Sequence, residues 1–228
     1  MKETAGHIRP VRSFVLRQGR ITTAQRTALH TLWHHYGVEC VGAPINLDLL
    51  FGRSAPRVLE IGFGMGDALA AMAQAHPEQD YLGIEVHRPG VGNLLRLLAE
   101  QQSSNAHVLC GDAVEMLHLD LPDAAFDAVH LFFPDPWPKR RHHKRRIVQP
   151  AFAALIAKKL RRGGRFHLCT DWEEYAAQML EVLNAVPGLV NVSPSGGYAD
   201  RSERPLSKFE RRAVREGRIV RDLMFLGR

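Results

Sequence analysis

The chain is poor in anything that could staple it or hold a metal cluster. Only three of its 228 residues are cysteine (Cys40, Cys110 and Cys169), an odd number without a C-x-x-C pair. That excludes a disulfide framework and a thiolate zinc site, and leaves three thiols expected to be buried. The twelve histidines form no H-E-x-x-H, and the adjacent pairs His34-His35 and His142-His143 point their rings apart, so no metal is expected. No apolar run approaches the ~20 residues of a membrane span; the longest clear one is Ala151 to Ala157. A secretory leader's apolar stretch is also missing, from which a cytoplasmic location is expected. There is no G-x-x-x-x-G-K-[ST], which removes the phosphate-loop NTPases, and no internal repeat or low-complexity tract.

What is present is core-forming material, 45% hydrophobic against 24% charged, the balance of a globular domain. The formal charge of +6 is segregated along the chain. Residues 1–36 hold six basic residues and one acid. Residues 48–134 hold four basic residues and twelve acids, a local net of −8. Residues 139–146 pack six basic residues and two histidines with no acid, and residues 201–228 carry nine basic residues against four acids. Blocks of like charge can be merely solvated faces, but recurring basic blocks favour a polyanionic partner, most simply nucleic acid.

Residues 1–36 show little apolar periodicity and are expected to form a basic, mobile arm ahead of one domain over 37–228, although Phe14-Val15-Leu16 could dock locally. From Arg57 the pattern alternates strand and helix: strands at 57–61, 81–86, 106–110, 126–133, 165–170 and about 221–226, helices at 67–76, 91–102, 147–161 and 171–186, with Gly163-Gly164 capping the third helix. Parallel neighbours need crossovers, and the helices supply them, so the expected fold is a doubly wound, mostly parallel α/β sheet.

Ligands of such sheets bind beyond the carboxyl ends of the strands. Five successive strand ends each present an acid there: Glu60, Glu85, Asp112, Asp135 and Asp171. Asp112 and Asp171 could equally be helix N-caps. After the first strand comes Gly62-x-Gly64-x-Gly66, followed by Asp67 where a dinucleotide fingerprint has a further small residue. A carboxylate at that helix start opposes a pyrophosphate. The turn suits a cofactor without phosphate and with a cationic centre, and S-adenosyl-L-methionine fits. Glu85 is placed to accept from both ribose hydroxyls, and Asp112 and Ala113 to meet the adenine.

The most specific stretch is Phe132-Phe-Pro-Asp-Pro-Trp-Pro-Lys-Arg-Arg-His-His-Lys-Arg-Arg146. Pro134, Pro136 and Pro138 restrict the backbone around Asp135, Trp137 offers a packing or stacking surface, and the cations behind it can follow a phosphate backbone. With this loop, Glu60-Ile-Gly-Phe-Gly-Met-Gly66, Gly83-Ile-Glu-Val-His87, Pro89-Gly-Val-Gly92, Thr170-Asp-Trp172 and Arg204-Pro-Leu-Ser-Lys-Phe-Glu210, together with Arg12-Ser-Phe14 and Gln18-Gly-Arg20 in the arm, the chain resembles the bacterial tRNA (guanine-N7-)-methyltransferase family. These are class I, Rossmann-like enzymes that use S-adenosyl-L-methionine. The likeness implies that Glu60, Glu85, Asp112 and Asp135 contact the cofactor and that Asp135 is catalytic. It further implies substrate contacts at Lys139, Asp171, Ser207, Lys208, Phe209 and Glu210, and RNA contacts at Arg140, Arg141, His142, His143, Lys144, Arg145 and Arg146. Ser207 stands where the family usually has threonine, which keeps the hydroxyl; Pro138 occupies a variable position. Ser207-x-x-Glu210 also reads as a capping box opening a helix to about Arg215, a role compatible with substrate contact.

The implied acceptor is the guanine at position 46 of the tRNA variable loop. Its N7 has a free lone pair, so no general base is required, in keeping with the lack of any Ser-His-Asp, Cys-His or paired-carboxylate constellation. A second reading is methylation of an exocyclic amine, whose enzymes carry [ND]-P-P-[YF] after the fourth strand; Asp135-Pro136-Trp137 matches it in part. A third is an RNA-binding domain with a vestigial cofactor fold, against which the intact rim of acids argues.

Overall fold

The structure is a computed structural model that describes residues 12–14, 19–201 and 204–228. Its centre is a seven-stranded sheet of β1 (Arg57–Ile61), β2 (Asp80–Glu85), β3 (Ala106–Cys110), β4 (Phe126–Phe132), β5 (Leu160–Thr170), β6 (Leu189–Asn191) and β7 (Arg221–Gly227). The strand order is β3-β2-β1-β4-β5-β7-β6. β1 to β5 pair in parallel, and β7 lies antiparallel between β5 and β6. The expected doubly wound, mostly parallel sheet is therefore present, with the order reversing beside β1 and opening a crevice between β1 and β4.

Alternation along each strand feeds two cores. Leu59, Ile61, Leu82, Ile84, Val129 and Leu131 face one side of the sheet. There they meet α3 (Leu47–Phe51), α6 (Ala113–Leu119), α7 (Pro150–Lys159) and α8 (Glu173–Asn184). Val58, Tyr81, Val108 and Ala128 face the other, under α1 (Thr23–Thr31), α2 (Trp33–Tyr36), α4 (Asp67–Ala75) and α5 (Arg88–Glu100). α9 (Lys208–Arg215) precedes β7.

Four expectations change. The basic arm is helical from Thr23: Thr22 and Gln25 form a capping box, Ala28 is buried, and the Tyr36 hydroxyl donates to Leu98 O (3.3 Å). Residues 1–11 and 15–18, including Val15, Leu16 and Gln18, lie outside the described residues. Secondly, α7 starts at Pro150, a favoured first-turn residue. It ends at Lys159, because β5 takes over at Leu160. Thirdly, Gly163-Gly164 do not cap that helix. Pairing jumps from Phe126↔Leu160 to Ala128↔Arg165, and the pair sits in the resulting bulge, with Gly163 at φ +77°. Finally, only Cys169 is fully buried, whereas Cys110 is half-buried and Cys40 exposed. Among the described residues no helix is long and apolar enough to cross a membrane.

Candidate active site

At the carboxyl edge of the sheet a cavity of about 500 Å³ is walled by the β1–α4 turn and the ends of β2, β3 and β4. Gly62 and Gly64 adopt left-handed φ values of +74° and +61°, and nothing lies within 4 Å of where a Cβ on either would stand. Both line the cavity, so the turn presents bare backbone to it. Gly66 serves a different purpose: a Cβ there would be 2.6 Å from Leu94 Cβ, so it permits close packing of α5 on the turn.

Glu85 braces this turn. Its Oε2 accepts from Gly64 N–H (2.8 Å) and its Oε1 from Val86 N–H (2.7 Å) and His87 N–H (2.9 Å). A carboxylate has about four acceptor directions, so it can still accept from a ligand. Asp112 is the N-cap of α6, its Oδ1 accepting from Val114 N–H (3.0 Å), while its neighbours Gly111 and Ala113 line the cavity. Asp135 lines the opposite wall, at the end of β4. The residues flanking that segment, Phe133 (φ +50°) and Trp137 (φ +46°), are both left-handed. Each such non-glycine conformation costs on the order of 1–3 kcal/mol, so the segment is held in place by its surroundings.

Phe133 stacks on Phe209 of α9, ring centroids 5.9 Å apart, and together they separate this cavity from a smaller one of about 350 Å³. Glu60 faces the smaller cavity, with Asp67, Arg204, Ser207, Lys208 and Arg211 around it. Glu60 is buried and its Oε2 has no hydrogen-bond partner. Burial, and then the negative Glu85, push its carboxyl up to about 8. A raised acid pKa costs stability as pH rises from the usual carboxylate range through 8, and nothing below it. Glu60→Gln, neutral at every pH, should therefore melt higher than wild type above about pH 8. The difference should vanish in acid, as scanning calorimetry of the ligand-free protein would read.

The basic run divides. Lys139, Arg140, Arg141 and Lys144 are exposed, the last three on a 3₁₀ helix over Arg140–Arg145; His142 and His143 are half-buried beside them. Arg146 corrects the expected RNA contact, because it is buried. It donates to Pro136 O (2.8 Å) and Gln178 Oε1 (2.5 Å), and its guanidinium carbon lies 4.9 Å from the Tyr175 ring centroid. Arg145 also turns inward, to Arg12 O and Phe14 O.

The expected capping box at α9 is half formed. Ser207 Oγ accepts from Glu210 N–H (3.1 Å), but the Glu210 carboxylate turns away to Arg204 and Arg201. Glu210 is buried there, so a direct substrate contact through its carboxylate is not what this geometry offers. Asp171 is not brought to Asp135's cavity. It lines a separate one of about 550 Å³ with Trp172 and Arg218, which donates to Asp171 Oδ2 from Nε at 2.8 Å. Sequence reasoning missed Arg204, Asp222 and His167, a buried chain behind the site in which Arg204 donates to Asp222 Oδ1 and Oδ2 (2.8 and 3.0 Å), and His167 Nε2 stands 2.7 Å from the former. Arg204 was visible as the first residue of its motif; its partners were not.

Comparison with known proteins bears on the family and the fold. A family described as "Putative methyltransferase" matches residues 54–223. The tRNA (guanine-N(7)-)-methyltransferase of Alkalilimnicola ehrlichii is 53% identical over 219 residues, 95% of this chain and 92% of the relative. That of Salmonella typhi is 54% identical over 98% of this chain and 94% of the relative. Among solved structures, the 16S rRNA methyltransferase KamB superposes with a TM-score of 0.58 at 15% identity, covering 80% of this chain and 93% of that one. The [4+2]-cyclase SpnF gives 0.55 at 16%, covering 91% and 97%. At such identities these two establish the fold alone.

Proposed function

The chain belongs to the tRNA (guanine-N7-)-methyltransferase family, and on that footing we propose that it transfers the methyl group of S-adenosyl-L-methionine to N7 of guanine 46 in the tRNA variable loop, in the cytoplasm and without an obligate protein partner. The observation that carries this reading is the paired cavity: bare glycine backbone braced by Glu85 on one side, and a buried, unpartnered Glu60 oxygen on the other. Those features fit a donor that is cationic and free of phosphate. About 500 Å³ is within the usual range for a site of that size.

S-adenosyl-L-methionine supplies an electrophilic methyl group on a sulfonium. Glu85, Gly62, Gly64, Ala113 and Asp135 would hold it around the larger cavity, and Glu60 would offer its oxygen to a cationic group. Guanine N7 attacks with its own lone pair, so the protein's task is alignment, which can contribute on the order of 7–11 kcal/mol. Asp135 faces the positive charge that spreads over the base as N7 is methylated. Arg218 engages Asp171 through Oδ2, so Asp171 would read the donor edge of guanine through its remaining acceptor directions. N7 of a paired guanine lies in the deep groove of an RNA helix, closed to side chains, so a loop base is the accessible target.

Incubating unmodified tRNA with labelled donor and mapping the label tests the reaction. Label on one variable-loop guanine, released by the strand cleavage that N7 methylation permits, is expected; label on an exocyclic amine would replace this reading with the second one. Affinity for tRNA should fall steeply with salt. Arg140→Ala and Arg141→Ala should each reduce the magnitude of the log–log salt slope by roughly 0.7–0.9. Arg146→Ala, whose guanidinium is buried, should leave the slope unchanged while lowering the melting temperature.

A further inference from the structure

Three consecutive backbone carbonyls near the N-terminus are held by two side chains of the strand-four loop. Trp137 Nε1–H donates to Ser13 O at 3.1 Å, and Arg145 donates from Nε to Arg12 O at 3.0 Å and from a terminal nitrogen to Phe14 O at 2.8 Å. The two side chains also hold each other, the Arg145 guanidinium carbon lying 3.9 Å from the Trp137 ring centroid. Ser13 and Phe14 line the larger cavity together with Gly64 and Glu85. Gly19 lies beside another lining residue: a Cβ there would stand 3.1 Å from Nε2 of His87. Described parts of the N-terminal segment thus meet lining residues of the cavity at two places.

A phosphate-binding arginine presents its planar fork to solvent. Arg145 instead turns two of its donors onto the backbone of residues 12 and 14, although it sits in a run whose other members include four exposed cations. The left-handed Trp137 (φ +46°) is the bend that brings the indole N–H to Ser13.

We propose that Arg145 and Trp137 are positioning residues for the methyl donor, clipping residues 12–14 in place as the outer wall of its cavity. The inference rests on the reading of that cavity as the donor site. It divides the basic run into two tasks: cations that face RNA, and one arginine that completes the pocket those cations adjoin. Nothing is transferred through the clip; it supplies surface and excludes water, so its removal should weaken donor binding and leave the aligned reaction intact.

The test is calorimetric titration of the full-length protein with S-adenosyl-L-methionine, alongside steady-state kinetics on unmodified tRNA. Arg145→Ala and Phe14→Ala should each weaken donor binding by about tenfold, a change equivalent to losing one or two hydrogen bonds or a buried ring face. KM for the donor should rise in step while kcat at saturating donor stays within about twofold. The double variant should bind no worse than the weaker single one, because both remove the same wall. Arg145→Lys should recover little, since one ammonium cannot span both carbonyls and stack on the indole. The salt slope of tRNA binding should not change in Arg145→Ala. A wild-type donor affinity in Arg145→Ala, or a slope smaller by one phosphate with donor affinity intact, would overturn the proposal. Trp137→Phe, which keeps a ring and loses the N–H, provides the same readout should Arg145→Ala fold poorly. Loss of binding in Glu85→Ala with no change in Arg145→Ala defeats the clip alone; no binding by the wild-type chain defeats the donor-site reading with it.

Discussion

Asp135→Ala is expected to lower kcat by about 10²–10³ at saturating donor and tRNA, with little change in melting temperature. Asp135 is exposed at the lip of the larger cavity, so the fold does not lean on its burial. Its position is nonetheless controlled. Prolines 134 and 136 flank it, the Phe133 N–H is held by Cys169 O at 2.8 Å, and the left-handed Phe133 and Trp137 set the path of the chain on either side. The reaction turns a neutral guanine into a cation, so a carboxylate fixed beside the base interacts more strongly with the transition state than with the ground state. Only that difference accelerates the step. Asp135→Asn separates this from simple hydrogen bonding, because it keeps an acceptor oxygen of the same reach and removes the charge. If charge is what counts, Asn should fall nearly as far as Ala in kcat while tRNA affinity holds. Retention of most wild-type turnover in Asn would move Asp135 to base recognition, and retention in Ala would remove it from the mechanism.

The acids at the strand ends were readable because the parallel sheet imposes a shared direction. Once 57–61, 81–86, 106–110 and 126–133 were strands, Glu60, Glu85, Asp112 and Asp135 had to gather on one edge. What each acid does there was not readable. Glu60 and Glu85 come from adjacent strands and look alike in sequence, yet Glu85 accepts from three backbone N–H groups while Glu60 keeps a buried oxygen without a partner. Two of the Glu85 partners, Val86 and His87, follow it directly in the chain, and the glycine turn adds the third through Gly64. Arg140 and Arg146 are likewise indistinguishable as letters in a basic run; the packing of α8 against the loop, through Gln178 and Tyr175, buries one and leaves the other in solvent. α1 was not legible: its face is largely polar, with Ala28 its one fully buried residue, so periodicity was silent, and Thr22-x-x-Gln25 is the one local pattern that could have marked its start. The links from Arg145 to residues 12–14 span more than 130 positions, and no local pattern encodes such a pairing.

Arg204→Met should destabilise the protein by about 3–5 kcal/mol, the usual consequence of removing one member of a buried ionic set. Arg204, Asp222 and Glu210 are all buried, and the guanidinium bridges the two carboxylates, with short contacts to Glu210 and bonds of 2.8 and 3.0 Å to Asp222. Burial alone would raise both carboxyls. The bonds from Arg201 and Arg204 to Glu210, and from His167 and Arg204 to Asp222, outweigh it and hold both below their ordinary values. Such depressed acids stabilise the fold above the ordinary carboxylate range and lose that contribution as the pH falls through their lowered values. Arg204→Met should therefore cost most at neutral pH and progressively less in acid. In a 228-residue chain the loss corresponds to a fall in melting temperature of roughly 6–20 °C. The site should feel it too. Arg204 lies 5.8 Å from the ring centroids of both Phe132 and Phe133, and Phe133 stacks on Phe209 to divide the two cavities. Loosening α9 should thus raise KM for the donor even at temperatures where the variant remains folded. The damage arises from the charges left behind more than from the missing bonds, so adding Glu210→Gln and Asp222→Asn to Arg204→Met should restore part of the lost stability. A triple variant no more stable than Arg204→Met would show that the guanidinium contributes by filling space, and that the ionic set is not what fastens α9 to the sheet.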